Sequence, residues 1–348
     1  MAAGRQGVWV VLVVLSLTTP ALAADAGLVP APSQSPSTAC CGITDPATCE
    51  ADPAQGDELW TESAGPCWTV TADALFLHRS ATRGPSLLVD PLGNVDPLKS
   101  SDLTFSTEAG PRLSVIRHGS CGWDFEVNYF GIDGWKSQAE FAAMPAAVAI
   151  LRMDQSLPLP VSSAAFAYQS KLYSTEFNLR HAAGDCLTTM AGFRWVELDE
   201  HYRVDGMQSI GQSFSNTIGT HNHMYGFQVG AEAVFLSNCR FHIDGVAKVG
   251  VYYDAADQRD AFLRPSSNLD AAATGSRTSF LGELGLMGTY QLNNHLAVRG
   301  GYQLMWIEGV ALAPRQIPVT NLGTGVAAVD TSGGIFYHGA NVGLELSW

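Results

Sequence analysis

The sequence predicts an all-β fold, an antiparallel transmembrane β-barrel of about ten strands. Three observations support this prediction. Apolar and polar residues alternate along segments of about ten residues. Short turns and long loops follow one another between these segments, and the chain ends on an aromatic residue, Trp348. Twelve strands are the alternative, because the long segment 134–171 is apolar enough to contain another hairpin.

The composition fits a barrel and argues against other classes. The chain has 348 residues, of which 46% are hydrophobic and only 15% charged. Its mean hydropathy is only +0.07, since alternation mixes apolar with polar residues. Beyond the N-terminus no apolar run reaches the ~18 residues that a membrane helix needs. The formal net charge of −14 argues against a nucleic-acid partner, which requires a basic face.

Two segments precede the predicted barrel. Residues 1–23 are typical of a signal peptide, because Arg5 is followed by an apolar core over 8–17 and by the small-residue cleavage sequence 21–23. Residues 24–66 are rich in Pro, Ser, Ala and Thr and predict a periplasmic tail or linker. We therefore expect an exported protein whose barrel, residues 67–348, lies in a bacterial outer membrane.

The alternation assigns each strand a lipid face and an inner face. In the first predicted strand Trp68 and Phe76 lie opposite Asp73, and in the last strand Leu346 lies opposite Glu345. The ten predicted strands are 68–78, 103–117, 122–133, 172–181, 186–197, 223–236, 240–253, 278–291, 296–307 and 335–348.

The connections are short on one side of the predicted sheet and long on the other, as in outer-membrane barrels. The long loops are 80–102, 134–171, 198–222, 254–276 and 308–334. A soluble β-sandwich is the competing fold, but the predicted strands are longer than the 5–6 residues or so that are usual in globular sheets. Aromatic residues near strand ends indicate interfacial girdles; they are Trp68, Tyr129, Trp135, Trp195, Tyr252, Tyr253, Trp306 and Trp348.

Over residues 67–348 the chain resembles the outer-membrane β-barrel porins of planctomycetes, a family defined largely by sequence. The segments that carry the resemblance are 68–77 (WTVTADALFL), 110–115 (GPRLSV), 126–133 (EVNYFGID), 172–180 (LYSTEFNLR), 191–195 (AGFRW), 222–231 (NHMYGFQVGA) and 304–316 (LMWIEGVALAPRQ). The end, 343–348 (GLELSW), resembles the aromatic-ended signal read by the barrel-assembly machinery. The resemblance implies fold and location, and it brings no catalytic or binding residues.

Charged residues fall on the predicted inner faces, and two interpretations of them stay open. In a barrel this narrow they form an ion-pair network that packs the lumen, or they line a narrow aqueous path whose excess of carboxylates favours cations. The residues are Asp73, Arg112, Asp124, Glu126, Glu176, Arg180, Arg194, Glu232, Asp244, Lys248, Glu283, Arg299 and Glu345.

An enzymatic or metal site is the weakest hypothesis. The loop 198–222 and the start of the strand that follows it contain acids and histidines that suit a hydrolase or a metal. They are Asp199, Glu200, His201 and Asp205, with His221 and His223 at the other end of the loop. Because no third ligand or nucleophile has convincing spacing, we expect solvated loop residues. We expect no enzyme, no catalytic residue, no metal and no cofactor.

All seven cysteines are predicted to lie at the periplasmic end. Cys40, Cys41 and Cys49 belong to the tail, Cys67 begins the first strand, and the other three fall in short turns: Cys121, Cys186 and Cys239. Exported chains form disulfides, whereas neighbouring turns are too far apart for a direct bridge. We therefore expect tail cysteines to bond to turn cysteines.

The sequence supports two main functions. The first is a porin-like passive pore for small solutes or ions with a mildly cation-favouring lumen. The second is a closed structural or adhesive barrel that displays long surface loops. The expected partners are the lipid bilayer and the barrel-assembly machinery, and the sequence does not determine an oligomeric state.

Overall fold

A computed structural model describes residues 66–91, 96–119, 122–142, 149–155 and 158–348. The predicted signal peptide and nearly all of the tail lie outside these residues. Ten strands form the barrel: β1 Trp68–Arg79, β2 Thr107–His118, β3 Trp123–Ala142, β4 Pro158–Ala182, β5 Leu187–Gln208, β6 Ser213–Ser237, β7 Phe241–Arg264, β8 Ser267–Gln291, β9 Leu296–Val310 and β10 Gly333–Ser347.

The strands close into a ring in which every neighbouring pair is antiparallel. Each strand pairs with the next one along the chain, and β1 pairs with β10 to complete the circle. The backbones of Trp68 and Trp348 exchange two hydrogen bonds at this seam, at 2.9 and 3.0 Å. The predicted ten-stranded antiparallel barrel is thus confirmed. Among the described residues, no helix is long and apolar enough to cross a membrane.

The strands extend further than predicted on the loop side. The expected loop 198–222 is mostly strand, because β5 runs to Gln208 and β6 begins at Ser213; the loop 254–276 is likewise mostly strand. The predictions ended these strands too early because apolar residues there change from the outer to the inner face. In the segment 134–171, the short strand Ala149–Arg152 pairs with β4 and with Ser86–Val89, so it adds no membrane-spanning hairpin.

Strand β5 shows how the two halves of the wall differ. On its outer face Phe193 and Trp195 are exposed apolar residues, followed outward by Glu197, Asp199 and His201. An apolar outer face belongs in lipid and a charged one in water. On the inner face the order is reversed: charged Arg194 gives way to the buried Val196, Leu198 and Tyr202 of the core. The barrel therefore has a membrane half on the turn side and a water-exposed half, here called the head, on the loop side.

Residues 311–332 fold into the head and are called the plug loop. At its start the chain leaves β9 through a bulge at Gly309, whose φ of +89° favours glycine. The short 3₁₀ helix Ala313–Val319 follows, and its Ile317 is buried together with the preceding Leu312. This segment was predicted to be a surface loop. Instead its apolar residues complete the core of the head.

Two of the predicted girdle aromatics lie inside the barrel. Trp135 is fully buried and donates Nε1–H to the carbonyl of Leu77 at 3.0 Å. Tyr252 is also buried, and its hydroxyl lies 3.2 Å from Gln228 Oε1. Others, such as Trp195, are exposed on the outer face as expected. The period of two places residues correctly only while the register is known, and a bulge between Ile132 and Trp135 shifts that register.

The described cysteines lie at the turn side. Cys67 carries a free thiol next to β1, and Cys239 is disulfide-bonded. The expected pairing of tail with turn cysteines involves Cys40, Cys41, Cys49 and Cys121, which lie outside the described residues, and it stays a prediction.

Candidate functional site: the charged lumen

The middle of the lumen is occupied by a buried guanidinium. Arg194 extends inward from β5, and its Nη1 lies 3.0 Å from Glu283 Oε2 on β8 and 3.3 Å from Glu176 Oε1 on β4. Its Nε–H donates to Ser174 Oγ at 2.8 Å. All three charged side chains are nearly inaccessible to water, at 0%, 6% and 2% relative exposure. The guanidinium therefore links strands on different sides of the barrel.

Further hydrogen bonds extend this cluster across the lumen. Lys248 Nζ lies 2.8 Å from Glu176 Oε2. Gln228 donates Nε2–H to the same oxygen at 2.8 Å and to Asn178 Oδ1 at 2.8 Å. We call Arg194, Glu176, Glu283, Lys248, Asn178 and Gln228 the central network. Buried charges persist in proteins when they are paired and hydrogen-bonded in this way.

Below the central network, on the turn side, the lumen widens into a polar chamber of about 260 Å³. Two arginines form ion pairs with acidic residues of its walls. Arg180 lies 3.0 Å from Glu232 and 3.6 Å from Glu126, while Arg299 lies 3.4 Å from both Asp73 and Glu345. The lining contains five acidic side chains, Glu126, Glu232, Asp244, Glu283 and Glu345, and four basic ones, Arg112, Arg180, Lys248 and Arg299.

The thirteen charged residues selected from the sequence all lie on the inner face of the membrane half. Asp124 lies 3.1 Å from His118. Asp244 lies 3.7 Å from His242. Arg112 hydrogen-bonds to Gln303 and lies 3.8 Å from Glu283. Arg194, Glu176, Glu283 and Lys248 lie together at mid-height, and the other nine residues lie in or next to the chamber on the turn side.

A second buried cluster, which the sequence pattern does not reveal, holds the plug loop. Glu200 forms an ion pair with Arg79, and both side chains are fully buried. The other carboxylate oxygen of Glu200 accepts hydrogen bonds from the Tyr168 hydroxyl at 2.5 Å and from the backbone N–H of Ala313 at 2.9 Å. The Arg79 guanidinium also lies 4.2 Å from the centre of the Phe105 ring. Glu200 thus ties the start of the plug loop to the barrel wall.

The residues considered for a hydrolase or a metal site are divided between two faces. Glu200 points inward. On the outer face, His221 Nδ1 lies 2.8 Å from Asp199 Oδ1, and Arg203 pairs with Asp205 at 2.7 Å. Partial burial, then the charges of Arg203 and His221, lowers the pKa of His201. In the part of the chain that the structure describes, no three His, Cys, Asp or Glu residues form a group that could hold a metal.

Known proteins resemble this chain in structure only. No family model and no curated protein matches it. The outer membrane protease OmpT from Escherichia coli is 8% identical, with a TM-score of 0.44, over 81% of this chain and 96% of that one. The translocator domain of the autotransporter NalP from Neisseria meningitidis is 10% identical, with a TM-score of 0.41, over 82% and 90%. The toluene transporter TodX from Pseudomonas putida is 9% identical, with a TM-score of 0.33, over 82% and 90%.

The comparisons correct one expectation. From the sequence we expected no enzyme, because the candidate acids and histidines lacked a convincing third partner. A protease is among the structural neighbours, so a barrel fold does not exclude enzymatic activity and that prediction was wrong. At these identities the likeness concerns the fold, and it transfers no catalytic residue to this chain.

Proposed function

We propose that this chain is an outer-membrane barrel with a closed lumen, and that the head serves as its structural or adhesive surface. The central network carries this proposal: Arg194, Glu176 and Glu283 meet at mid-height with relative exposures of 6% or less. A water-filled pore would leave such side chains hydrated. The proposal corresponds to the closed structural or adhesive barrel of the sequence analysis.

The plug loop supplies a second barrier on the same axis. Asn222, on the inner face of β6, receives a hydrogen bond from the backbone N–H of Ala311 at 2.6 Å and donates one to its carbonyl at 2.9 Å. Leu312 and Ile317 lie against the apolar core of the head. A solute crossing the barrel would have to displace this loop as well as the central network, and each step breaks buried polar contacts.

The porin-like pore is the second candidate, and the polar chamber favours it. Its lining has one more carboxylate than basic side chains, which suits a mild preference for cations. In that case the chamber is the turn-side vestibule of a pore that opens when the central network and the plug loop rearrange.

Proteoliposome uptake tests the choice between these functions. The refolded protein, inserted into vesicles, should admit small sugars and monovalent ions no faster than vesicles without protein. Protease protection and gel migration of the folded form establish insertion in the same samples. Rapid uptake by the wild-type protein would support the pore and overturn the closed barrel.

We also propose the biological setting. The protein is exported by the segment 1–23, is inserted with the help of the barrel-assembly machinery, and belongs with the planctomycete barrels that it resembles. Supporting this is the apolar outer face of the membrane half, where Phe227 is 77% exposed and Val229 is 58% exposed. Fractionation of the native host, with the protein recovered in the outer-membrane fraction and lacking residues 1–23, would test this setting.

A further inference from the structure

The interior of the head contains an acidic site outside both the central network and the Arg79–Glu200 cluster, which we call the plug-loop anchor. Asp260, on the inner face of β7, is fully buried. One of its oxygens, Oδ1, accepts a hydrogen bond from Asn216 Nδ2 at 2.6 Å. The other, Oδ2, has no hydrogen-bond partner among the described residues. A buried carboxylate in this state is costly unless a cation or a proton compensates it.

Other buried oxygens belong to residues near this carboxylate. Asn216 Oδ1, Gln258 Oε1 and the Tyr202 hydroxyl are all inaccessible to water and lack a hydrogen-bond partner among the described residues. The register explains their proximity. Tyr202 and Asp260 pair with the same residue of β6, Ile218, while Gln258 precedes Asp260 by two positions on the same face of β7. Four oxygen-bearing side chains thus lie at neighbouring positions on the inner faces of three adjacent strands.

The ionisable groups of this site are acidic. The Asp154 carboxylate lies close enough to interact electrostatically with Asp260. In the described part of the chain, no Lys, Arg or His lies within ion-pair distance of Asp260. Protein oxygens that are buried, negative and short of hydrogen-bond donors are the ligands that hard divalent cations prefer.

We propose that the head binds a hard divalent cation of the calcium class at Asp260. The carboxylates of Asp260 and Asp154, the amide oxygens of Asn216 and Gln258, and the Tyr202 hydroxyl supply the protein ligands. Water completes the coordination, since Ca²⁺ takes roughly 6–8 oxygen ligands. The donor set consists largely of amide and hydroxyl oxygens, so it is not a cluster of the acids, histidines and cysteines usual for transition metals.

The cation site adjoins the plug loop through two of its ligands. Gln258 donates Nε2–H to Thr320 Oγ1 at 3.2 Å and to the carbonyl of Ala328 at 3.0 Å. Asp154 Oδ2 accepts a hydrogen bond from the backbone N–H of Leu322 at 2.7 Å. A bound cation would fix both side chains and, through them, the plug loop. The proposal concerns the head alone and holds whether the lumen conducts or not.

Calcium titration of the folded protein tests the proposal. The wild-type protein in vesicles, stripped with EDTA at pH 8, should show a single class of Ca²⁺ site by calorimetry and a higher Tm in CaCl₂. Asp260→Asn keeps the shape but removes the charge, and it should weaken binding by more than about tenfold. Asp270→Asn, which alters an exposed carboxylate of β8 in the head, is the matched control and should bind as the wild type does.

Three results would overturn the proposal. The first is a wild-type protein whose Tm and calorimetric trace do not respond to CaCl₂. The second is equal Ca²⁺ binding by Asp260→Asn and wild type, which would place the ion on surface carboxylates. If Asp260→Asn does not fold, Asn216→Leu provides the test, and unchanged binding by that folded variant is the third contradicting result.

Discussion

Arg194 on β5 reaches Glu283 on β8 through the interior of the barrel, with 3.0 Å between Nη1 and Oε2. Glu176 on β4 completes the contact from a third strand. These ion pairs cross the lumen and fill the interior of the barrel at mid-height. This arrangement favours packing over an aqueous path as the interpretation of the inner charges, and it supports the closed lumen that we propose.

Removing the central guanidinium should destabilise the barrel strongly. Arg194→Ala leaves Glu176 and Glu283 buried with fewer partners, and breaking a buried pair costs about 3–5 kcal/mol. Urea unfolding in lipid vesicles, followed by tryptophan fluorescence, measures the free energy of unfolding. Arg203→Ala removes the exposed pair with Asp205 on the same strand and should cost less than about 1 kcal/mol. Equal losses in the two variants would contradict a central role for Arg194.

A charge on the lipid face should identify the membrane half. Phe227 and Thr217 lie on the same outer face of β6, ten residues apart, below and above the level of Trp195. Phe227→Arg should cost about 2–4 kcal/mol in vesicles, whereas Thr217→Arg in the head should cost close to nothing. The same unfolding measurement applies. A larger cost at Thr217 would mean that the boundary of the membrane lies elsewhere.

Loss of the Glu200 charge should loosen the plug loop. Glu200→Gln weakens the pair with Arg79 and the hydrogen bond from the Ala313 N–H. Limited trypsin digestion of the folded protein should then cut more rapidly at Arg315, which lies in this loop. Glu308→Gln, an exposed carboxylate near the end of β9, is the control and should be cut as slowly as the wild type. Unchanged cleavage of Glu200→Gln would remove Glu200 as the anchor of the loop.

Acid should release the far end of the same loop. Burial opposes ionisation of Asp330, but hydrogen bonds from Ser332 and the charge of Arg315 outweigh it and lower the pKa of Asp330 below 3.8. A depressed pKa in the folded state means that the stabilisation is present above pH ~3.8 and is lost as pH falls below it. The hydrogen-exchange protection factors of residues 328–332, corrected for the slower intrinsic exchange in acid, should therefore fall at low pH. Asp330→Asn should show low protection of these residues at neutral pH too. Wild-type protection that is the same at neutral pH and in acid would contradict a role for the Asp330 charge.

The sequence was sufficient for the membrane half because lipid imposes one rule on every strand there. The period of two placed Asp73, Arg194 and Glu345 inside and Leu346 outside, as observed. In the head water replaces lipid, so the same period continues with the faces exchanged. The predictions consequently stopped near 197 and 253, and they treated Glu200 as a loop residue.

The plug-loop anchor and the acidic site depend on contacts between distant segments. Arg79 and Glu200 are 121 residues apart, and Asn222 and Ala311 are 89 apart. Nothing local marks Arg79 as buried, since an arginine at a strand end is usually exposed. A useful signal was nevertheless present. The continued alternation of Asn216, Ile218 and Thr220 on β6, and of Gln258 and Asp260 on β7, indicated an inner face beyond the membrane.

Planar-bilayer conductance tests the closed lumen most directly. A variant with both barriers removed provides the comparison: Arg194→Ser with Glu283→Ser, which leaves Glu176 paired with Lys248, and a short Gly-Ser turn joining Val310 to its strand partner Gly333 in place of the plug loop. The wild-type protein should insert without stepwise current, and the opened variant should conduct. A wild-type protein that conducts as well as the opened variant would contradict the closed barrel.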